Sequence, residues 1–279
     1  MADGIIALAP PVLDDAARAA VAEVLDGQWL AMGERVRAFE ERFAAAHGVA
    51  DGVAVSSATA ALTLALAAHD IGPGDEVLVP SMTFVATANV VVAAGATPVF
   101  VDIDDLTEPH VSTAAAQRLV GPRTRAAIVM HYGGYRVPMD EWRRFADAHG
   151  LLLFEDAAHA SGLAGVGSGT DGAAFSFFAN KNMTTAEGGM LLIPDDERRE
   201  RARRMRSHGM TASSYDRDRG RAISYDVVDC GFNFRLDELR AALGLVQLEQ
   251  LPGWNARRRV LSDRYRDLVS RVDSCFTVV

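Results

Sequence analysis

The chain has few residues that could build a covalent or metal framework. Only two of its 279 residues are cysteines, Cys230 and Cys275, so we expect neither a disulfide scaffold nor a cysteine-based metal cluster. Scarce cysteine favours a reducing, cytoplasmic setting. No apolar run approaches the roughly 18 to 20 residues of a membrane span, and residues 1–4 lack the features of a signal peptide. We therefore expect a cytoplasmic protein without a membrane partner.

Basic charge is also in short supply. The chain has 28 lysines and arginines against 37 acidic residues, a formal net charge of -9. Non-specific nucleic-acid binding needs a basic face, so no nucleic-acid partner is expected. The seven histidines show no metal-ligand spacing. A Gly-x-Ser-x-Gly elbow is missing as well, so the sequence predicts neither a metal site nor a serine hydrolase.

Lysine is the scarcest residue that could do chemistry, because Lys181 is the only one in the chain. Arginine keeps its charge at working pH, whereas a desolvated lysine amine can lose its proton. Lys181 follows a short apolar run and precedes the pair Gly188-Gly189. A neutral amine on such a turn suits Schiff-base chemistry. The alternative is a surface lysine in an arginine-biased protein.

Short apolar runs alternate with helical patterns between about residues 53 and 193. The runs lack polar alternation, which predicts strands buried on both faces of a mainly parallel sheet. We expect an α/β fold, a three-layer α/β/α sandwich with seven strands. The predicted strands are Val53–Val55, Val77–Val79, Pro98–Val101, Ala126–Met130, Leu151–Phe154, Ala173–Phe177 and Met190–Ile193. The predicted helices between them are Thr59–Ala68, Ala86–Ala94 and Met139–Ala148.

Amphipathic helices flank this region on both sides. Asp14 and Gly27 are expected to bound the first helix, and Gly33 and Gly48 the second. We expect residues 1–250 to form a large domain and residues 251–279 to begin a C-terminal small domain that is largely missing. The elements predicted after residue 194 are a basic helix at 195–207, a polar loop at 211–224, and helices at about 236–251 and 254–269, with a solvated face at 257–259.

Ligands of such sheets bind beyond the carboxyl ends of the strands, and two of these ends carry candidate residues for binding a flat anionic cofactor. Ser57 and Thr59 begin a helix whose first N–H groups could bind an anion. Plain N-capping would give the same pattern. Phe84 follows the second strand and could stack on a flat ring or belong to the core.

The other two ends carry the candidate acid and base chemistry. Glu155 and Asp156 end one strand and point to opposite faces, so only one can enter the site. A carboxylate beside a pyridine nitrogen keeps that nitrogen protonated. His159 could lie over such a ring or be structural. Ser176 could bind a phosphate next to Lys181. An anion cradle, a stacking ring, a strand-end acid and one lysine are together the parts of a pyridoxal 5′-phosphate (PLP) site.

The order of these motifs resembles that of the DegT/DnrJ sugar aminotransferases, which are PLP-dependent enzymes of fold type I. The resemblance covers about residues 5–265. It implies transfer of an amino group from glutamate to a nucleotide-linked keto sugar in amino-sugar or natural-product biosynthesis. The matching segments are Ser56–Ala61, Phe154–His159, Lys181–Gly189 and Gly231–Leu236, together with residues 33–43 and 83–89.

The resemblance also implies a role for each matching residue. Lys181 would form the Schiff base and move the proton, Asp156 would pair with the pyridinium nitrogen, and His159 would contact the ring or its hydroxyl. Asn233 would reach the cofactor phosphate of the neighbouring subunit, so a homodimer with shared sites is implied. Residues implied in cofactor binding also include Ser57, Ala58, Thr59, Phe84 and Ser176; those implied in substrate binding are Arg235, through the donor carboxylate, and Glu187.

Two departures leave alternatives open. Ala58 stands where the family often has glycine, and the chain stops soon after the helix that leads into the family's C-terminal domain. That domain helps to close the site and to position the sugar. The alternatives are a PLP-dependent sugar dehydratase or aromatising relative and a homologue that binds PLP without turnover. Sugar dehydratases of this kind usually replace the lysine with histidine, so Lys181 disfavours the first.

Overall fold

The computed structural model describes residues 9–107 and 109–272 and contains the predicted mainly parallel sheet. Its strand order is β1-β7-β6-β5-β4-β2-β3. Strand β7 runs antiparallel to both β1 and β6, and the remaining pairs are parallel. The predicted fold class is confirmed. The strands are β1 (Gly52–Val55), β2 (Glu76–Pro80), β3 (Thr97–Val101), β4 (Thr124–Met130), β5 (Leu152–Asp156), β6 (Gly172–Ser176) and β7 (Gly189–Leu192).

The helices agree with the predicted pattern, with α5 and α8 as additions. Helix α8 lies within the predicted polar loop, where Ser213 and Asp216 form a capping box. Within the described residues, no helix is both long and apolar enough to cross a membrane. The helices are α1 (Asp15–Asp26), α2 (Glu34–Ala46), α3 (Ala58–Ala68), α4 (Val85–Ala93), α5 (Thr113–Gln117), α6 (Met139–His149), α7 (Asp196–Met205), α8 (Ser214–Asp218) and α9 (Glu238–Ser270), with a 3-10 turn at Tyr132–Gly134.

Helices cover both faces of the sheet, and the alternation of side chains along each strand divides the core between them. Val53 and Leu191 pack toward α3, α4 and α7. Ala54 and Met190 pack toward α2 and α9 on the opposite face. A further cluster under α5 and α6 includes Trp142. The sheet is therefore the middle layer of three, as predicted.

Strand β3 corrects the prediction that every strand is buried on both faces. It is the last strand on one side of the sheet, and its fourth residue, Phe100, is 55% exposed. Only Val101, the last residue of β3, is fully buried. An edge strand has a neighbour on one side only, and an apolar run in the sequence does not reveal that position.

Helix α9 corrects the prediction of two separate C-terminal helices. It runs without interruption from Glu238 to Ser270 and includes Pro252. Pro252 has no N–H to donate to the carbonyl of Leu248, four residues earlier, yet the helix continues past it. The predicted domain boundary at residue 250 falls inside this helix, and the division into two domains stays a prediction.

The first turn of α9 also fixes the start of α2. Gly33, the N-cap of α2, has no side chain to cap the helix. The buried Glu238 carboxylate instead accepts N–H bonds from Gly33 at 2.9 Å, Arg35 at 3.0 Å and Val36 at 2.9 Å. A negative charge at the N-terminus of a helix also interacts favourably with the helix dipole. The position of α9 is therefore tied to α2.

Candidate active site

The site lies along the edge of the sheet that is formed by the carboxyl ends of its parallel strands. Strands β1, β2, β4, β5 and β6 all end at this edge, and β7 begins there because it runs the other way. Ser176 pairs with Gly189, which pairs in turn with Val55. The strand ends therefore bring together residues that lie far apart in sequence. At or just after these ends lie Ser57, Phe84, Asp156 and Ser176.

Lys181 lies in the lysine loop, residues 177–188, which joins β6 to β7. Within the described residues its half-buried amine makes no hydrogen bond or ion pair. Burial lowers the pKa of Lys181, and the negative charge of Asp156 acts in the opposite direction. The sole lysine is thus a stronger candidate for a neutral amine than a solvated lysine would be.

The Asp156 carboxylate is buried at the end of β5 and held on both oxygens. Thr87 donates its hydroxyl to Oδ2 at 2.7 Å, and the Ala158 N–H donates to Oδ1 at 3.1 Å. Thr87 is completely buried in α4, and its hydroxyl lies 2.8 Å from that of Thr83. Thr87 has no predicted role, because a threonine in a helical pattern does not reveal a partner 69 residues away.

Glu155 points to the opposite face from Asp156, as strand alternation predicts. Its carboxylate accepts bonds from His131 Nε2 at 2.8 Å, the Gly167 N–H at 2.9 Å and the Thr170 hydroxyl at 2.6 Å. These three bonds are all to groups of the chain itself, and the Glu155 side chain is only 1% exposed. Glu155 therefore holds loops around the site, which leaves Asp156 as the acid that faces the lysine.

His159 lies in the histidine loop, residues 157–171, which follows β5. Its Nδ1 accepts the Gly133 N–H at 3.1 Å, and Gly133 adopts a left-handed conformation with φ of 61°. Burial lowers the pKa of His159, the Lys181 charge lowers it further, and Asp156 acts in the opposite direction. A neutral ring that accepts at Nδ1 carries its proton on Nε2.

The start of α3 provides a place for an anion. Ser57 is the N-cap, and its hydroxyl accepts the Ala60 N–H at 3.1 Å. The first-turn N–H groups of Ala58 and Thr59 have no hydrogen-bond partner in the described part of the chain. Such groups bind phosphate well at a helix N-terminus. Capping and anion binding are thus compatible here, since the cap uses a different N–H.

The other predicted site residues do not bond to Lys181, Asp156 or His159 within residues 9–107 and 109–272. Phe84 is the N-cap of α4 and is 64% exposed. Ser176 is buried, and its hydroxyl accepts the Phe178 N–H. Asn233 is exposed and forms an isolated backbone β-bridge with Ser207, whose hydroxyl accepts from Arg235. Glu187 is exposed. Their roles stay predictions.

Helix α9 contributes contacts to the lysine loop that the sequence did not predict. Gln247 Oε1 accepts the Thr184 N–H at 3.2 Å, and Asn255 Oδ1 accepts from Asn182 Nδ2 at 3.2 Å. Arg258 is exposed, as expected for the solvated face at 257–259, and it also donates to the Asn182 carbonyl at 3.0 Å. A cavity of about 970 Å³ lies between α9, the lysine loop and His159.

The residues of this edge fit PLP. The start of α3 offers free N–H groups suited to a phosphate, and Asp156 offers a fixed carboxylate suited to a pyridinium nitrogen. Gly189 shapes the cradle, because a Cβ there would lie 2.5 Å from the Ser57 carbonyl carbon and 2.7 Å from the Ala58 nitrogen. Lys181 supplies a partly desolvated amine at the same edge.

Known proteins share both the sequence pattern and this fold. The model of the DegT/DnrJ/EryC1/StrS aminotransferase family matches residues 11–278. The chain is 41% identical over 262 residues to the spore coat polysaccharide biosynthesis protein SpsC of Bacillus subtilis, covering 92% of this chain and 67% of SpsC. The aminotransferase TlmJ from Streptoalloteichus hindustanus has a similar structure, with a TM-score of 0.89, 36% identity, and coverage of 96% of this chain and 72% of TlmJ.

A third relative has been solved with a sugar product. DesI, determined in the presence of its TDP-sugar product, gives a TM-score of 0.81 at 36% identity, covering 92% of this chain and 64% of DesI. The chain therefore belongs to the DegT/DnrJ/EryC1/StrS aminotransferase family. Aminotransferases of this family are PLP-dependent, and its solved neighbours include PLP and PMP forms. The predictions of family, enzyme class and cofactor are confirmed at this level.

Proposed function

We propose that this protein transfers an amino group from glutamate to a keto sugar linked to a nucleotide, with PLP as cofactor. One observation carries the proposal. The chain's only lysine lies half-buried at the same end of the sheet as the free N–H groups of α3. Asp156 acts to raise the pKa of Lys181 against the effect of burial, and the charge of Lys181 lowers the pKa of His159. A sugar substrate is supported by two relatives: DesI, which has a TDP-sugar product, and SpsC, a spore coat polysaccharide biosynthesis protein.

Each residue of the site has a defined task in this proposal. When bound, PLP withdraws electrons from the carbon that carries the amino group. Asp156, fixed by Thr87, holds a negative charge at the end of β5. Burial makes the Lys181 amine easier to deprotonate, so it can accept and return a proton. His159 presents a neutral ring whose orientation is fixed by the Gly133 N–H.

The working protein in this proposal is a homodimer. Asn233 is exposed beside the end of β1, where Ser56 donates its N–H to the Phe234 carbonyl. A side chain in that position is available to a second subunit. The exposed Phe84 ring, at the edge that carries Asp156, is likewise available to a bound cofactor. Arg235 is the proposed contact for the carboxylate of glutamate.

The cofactor site is tested first, with the purified protein and added PLP. We expect a visible absorbance band that borohydride removes, leaving the whole reduced cofactor bonded to the peptide that contains Lys181. Lys181→Ala should show no such adduct. Lys181→Arg is the matched control, since it keeps the charge but cannot form the link. A wild-type protein that takes up no PLP would refute the proposal.

The reaction is tested in two halves. Glutamate alone should convert the visible band to the spectrum of the amine form and release one equivalent of 2-oxoglutarate. A TDP-linked keto sugar added next should restore the original band and yield an amino sugar. A deoxygenated sugar would instead identify a dehydratase, and failure of the glutamate step would contradict glutamate as the donor.

A further inference from the structure

Asn255 of α9 bonds to both of the loops that carry the proposed catalytic side chains. Its Oδ1 accepts from Asn182 Nδ2, at 3.2 Å, in the lysine loop. Its Nδ2 donates to the Ser161 carbonyl, at 3.0 Å, in the histidine loop. We propose that Asn255 is a positioning residue that fixes Lys181 relative to His159 by joining these two loops. The inference rests on the proposed function of the same site.

On the lysine side, the contact involves the residue directly after Lys181. Arg258 completes it, with one guanidinium nitrogen 2.9 Å from Asn255 Oδ1 and the other 3.0 Å from the Asn182 carbonyl. Both the side chain and the backbone of Asn182 are therefore bonded to α9. These bonds restrict the peptide next to Lys181, whose own amine has no partner in the described part of the chain.

On the histidine side, the backbone approaches Asn255 closely. Ser161 is buried two residues after His159, and Gly162 follows it in a left-handed conformation with φ of 80°. A Cβ on Gly162 would lie 2.8 Å from Asn255 Nδ2. Because Gly162 has no Cβ, the Asn255 amide can reach the Ser161 carbonyl. This close contact sets the distance between α9 and the histidine loop.

Other contacts of the lysine loop do not involve Asn255. The buried Gln247 accepts the Thr184 N–H and donates to the Val12 carbonyl at 2.8 Å. The Thr184 hydroxyl also donates to the Phe177 carbonyl at 3.1 Å. Loss of Asn255 should therefore release the part of the loop around Lys181 without unfolding all of it.

The decisive measurement uses the protein without cofactor. Because Lys181 is the only lysine, the pH dependence of its acylation by acetic anhydride, followed on its peptide, gives the pKa of one amine. Asn255→Ala should raise that pKa by at least about half a unit, because a released side chain reaches water. Asn255→Asp keeps the acceptor for Asn182 but loses the donor to Ser161, so it tests the histidine side separately.

With PLP bound, Asn255→Ala should lower kcat by about 10- to 100-fold, the effect expected of a displacement near 1 Å. KM for glutamate should change less than about threefold, since the substrate contacts remain. Asn182→Ala should give a similar loss, and the double variant little more, because both remove one shared contact. Arg264→Ala, an exposed change on the same helix, is the control and should match wild type.

Two results would overturn the inference. One is a Lys181 pKa in Asn255→Ala equal to that of wild type. The other is a fall in kcat that merely follows the loss of folded protein in a thermal melt. A wild-type protein that binds no PLP would refute the proposed function instead. The acylation of Lys181 would then still decide whether Asn255 controls the environment of the amine.

Discussion

Gly189→Ala should damage the proposed phosphate cradle although it adds only one methyl group. Gly189 is the first residue of β7 and pairs with Val55 on one side and Ser176 on the other. A Cβ there would lie 2.5 Å from the carbonyl carbon of Ser57 and 2.7 Å from the nitrogen of Ala58. Both atoms belong to the backbone, so no side-chain rotation can relieve the overlap.

The size of the effect follows from what must move. Either β7 loses its register with its two neighbours, or the start of α3 shifts away from the sheet edge. Overpacking of this kind costs about 1–3 kcal/mol, and a clash with backbone on a central strand belongs at the upper end. That is a large part of the roughly 5–15 kcal/mol that stabilises a typical domain. A shifted α3 should also weaken PLP binding by about tenfold or more.

Gly253→Ala is the control: it makes the same substitution, but it should raise the free energy of unfolding instead of lowering it. Gly253 lies inside α9, and a Cβ there would meet no atom within 4 Å. Alanine in a helix interior is favoured over glycine by about 0.5–1 kcal/mol. Urea unfolding of both variants without cofactor, followed by PLP titration, measures the two effects separately. If Gly189→Ala unfolds within about 0.5 kcal/mol of wild type and binds PLP normally, the close packing described for the cradle is wrong.

Two further predictions concern buried polar groups. Thr87→Val should lower the free energy of unfolding by about 1–3 kcal/mol, because it leaves the buried Asp156 oxygen without its donor; Thr87→Ser should recover most of the loss in the same urea titration. Burial lowers the pKa of His47, which accepts the Gly162 N–H and bonds to the Val166 carbonyl. Below about pH 6.5 His47 therefore binds a proton more readily in the unfolded chain than in the folded one. The free energy of unfolding contributed by this group is fully present above about pH 6.5, and it falls by up to about 1.4 kcal/mol for each pH unit below that. Unfolding curves between pH 5 and 8 should show a smaller slope for His47→Gln, and an equal slope would contradict this account.

The sequence was sufficient for the parts of the site that depend on strand ends. The seven strands, the lysine between β6 and β7 and the acid at the end of β5 all follow from short apolar runs and the residues that come after them. Strand alternation also separated Glu155 from Asp156 correctly. These are local patterns, and each occupies fewer than ten consecutive residues.

The sequence was insufficient where contacts join distant segments. Nothing around Asn255 indicates that its amide bonds to Asn182, 73 residues earlier, and to Ser161. The sequence predicted two helices, at about 236–251 and 254–269, whereas the structure has one continuous helix with tertiary contacts of Gln247, Asn255 and Arg258 on both sides of Pro252. The cap of α2 by Glu238 is hidden for the same reason, since the two groups lie 205 residues apart.

The unbroken course of α9 connects the start of α2 with the lysine loop. The carboxylate of Glu238 bonds to the start of α2, and Asn255 lies about 26 Å farther along the helix at 1.5 Å per residue. A tilt of about 2° at Glu238 would displace Asn255 by about 1 Å, which is enough to disturb the proposed position of Lys181. We therefore expect a change in the tilt of α9 to reach the lysine loop through the contacts of Asn255 and Arg258.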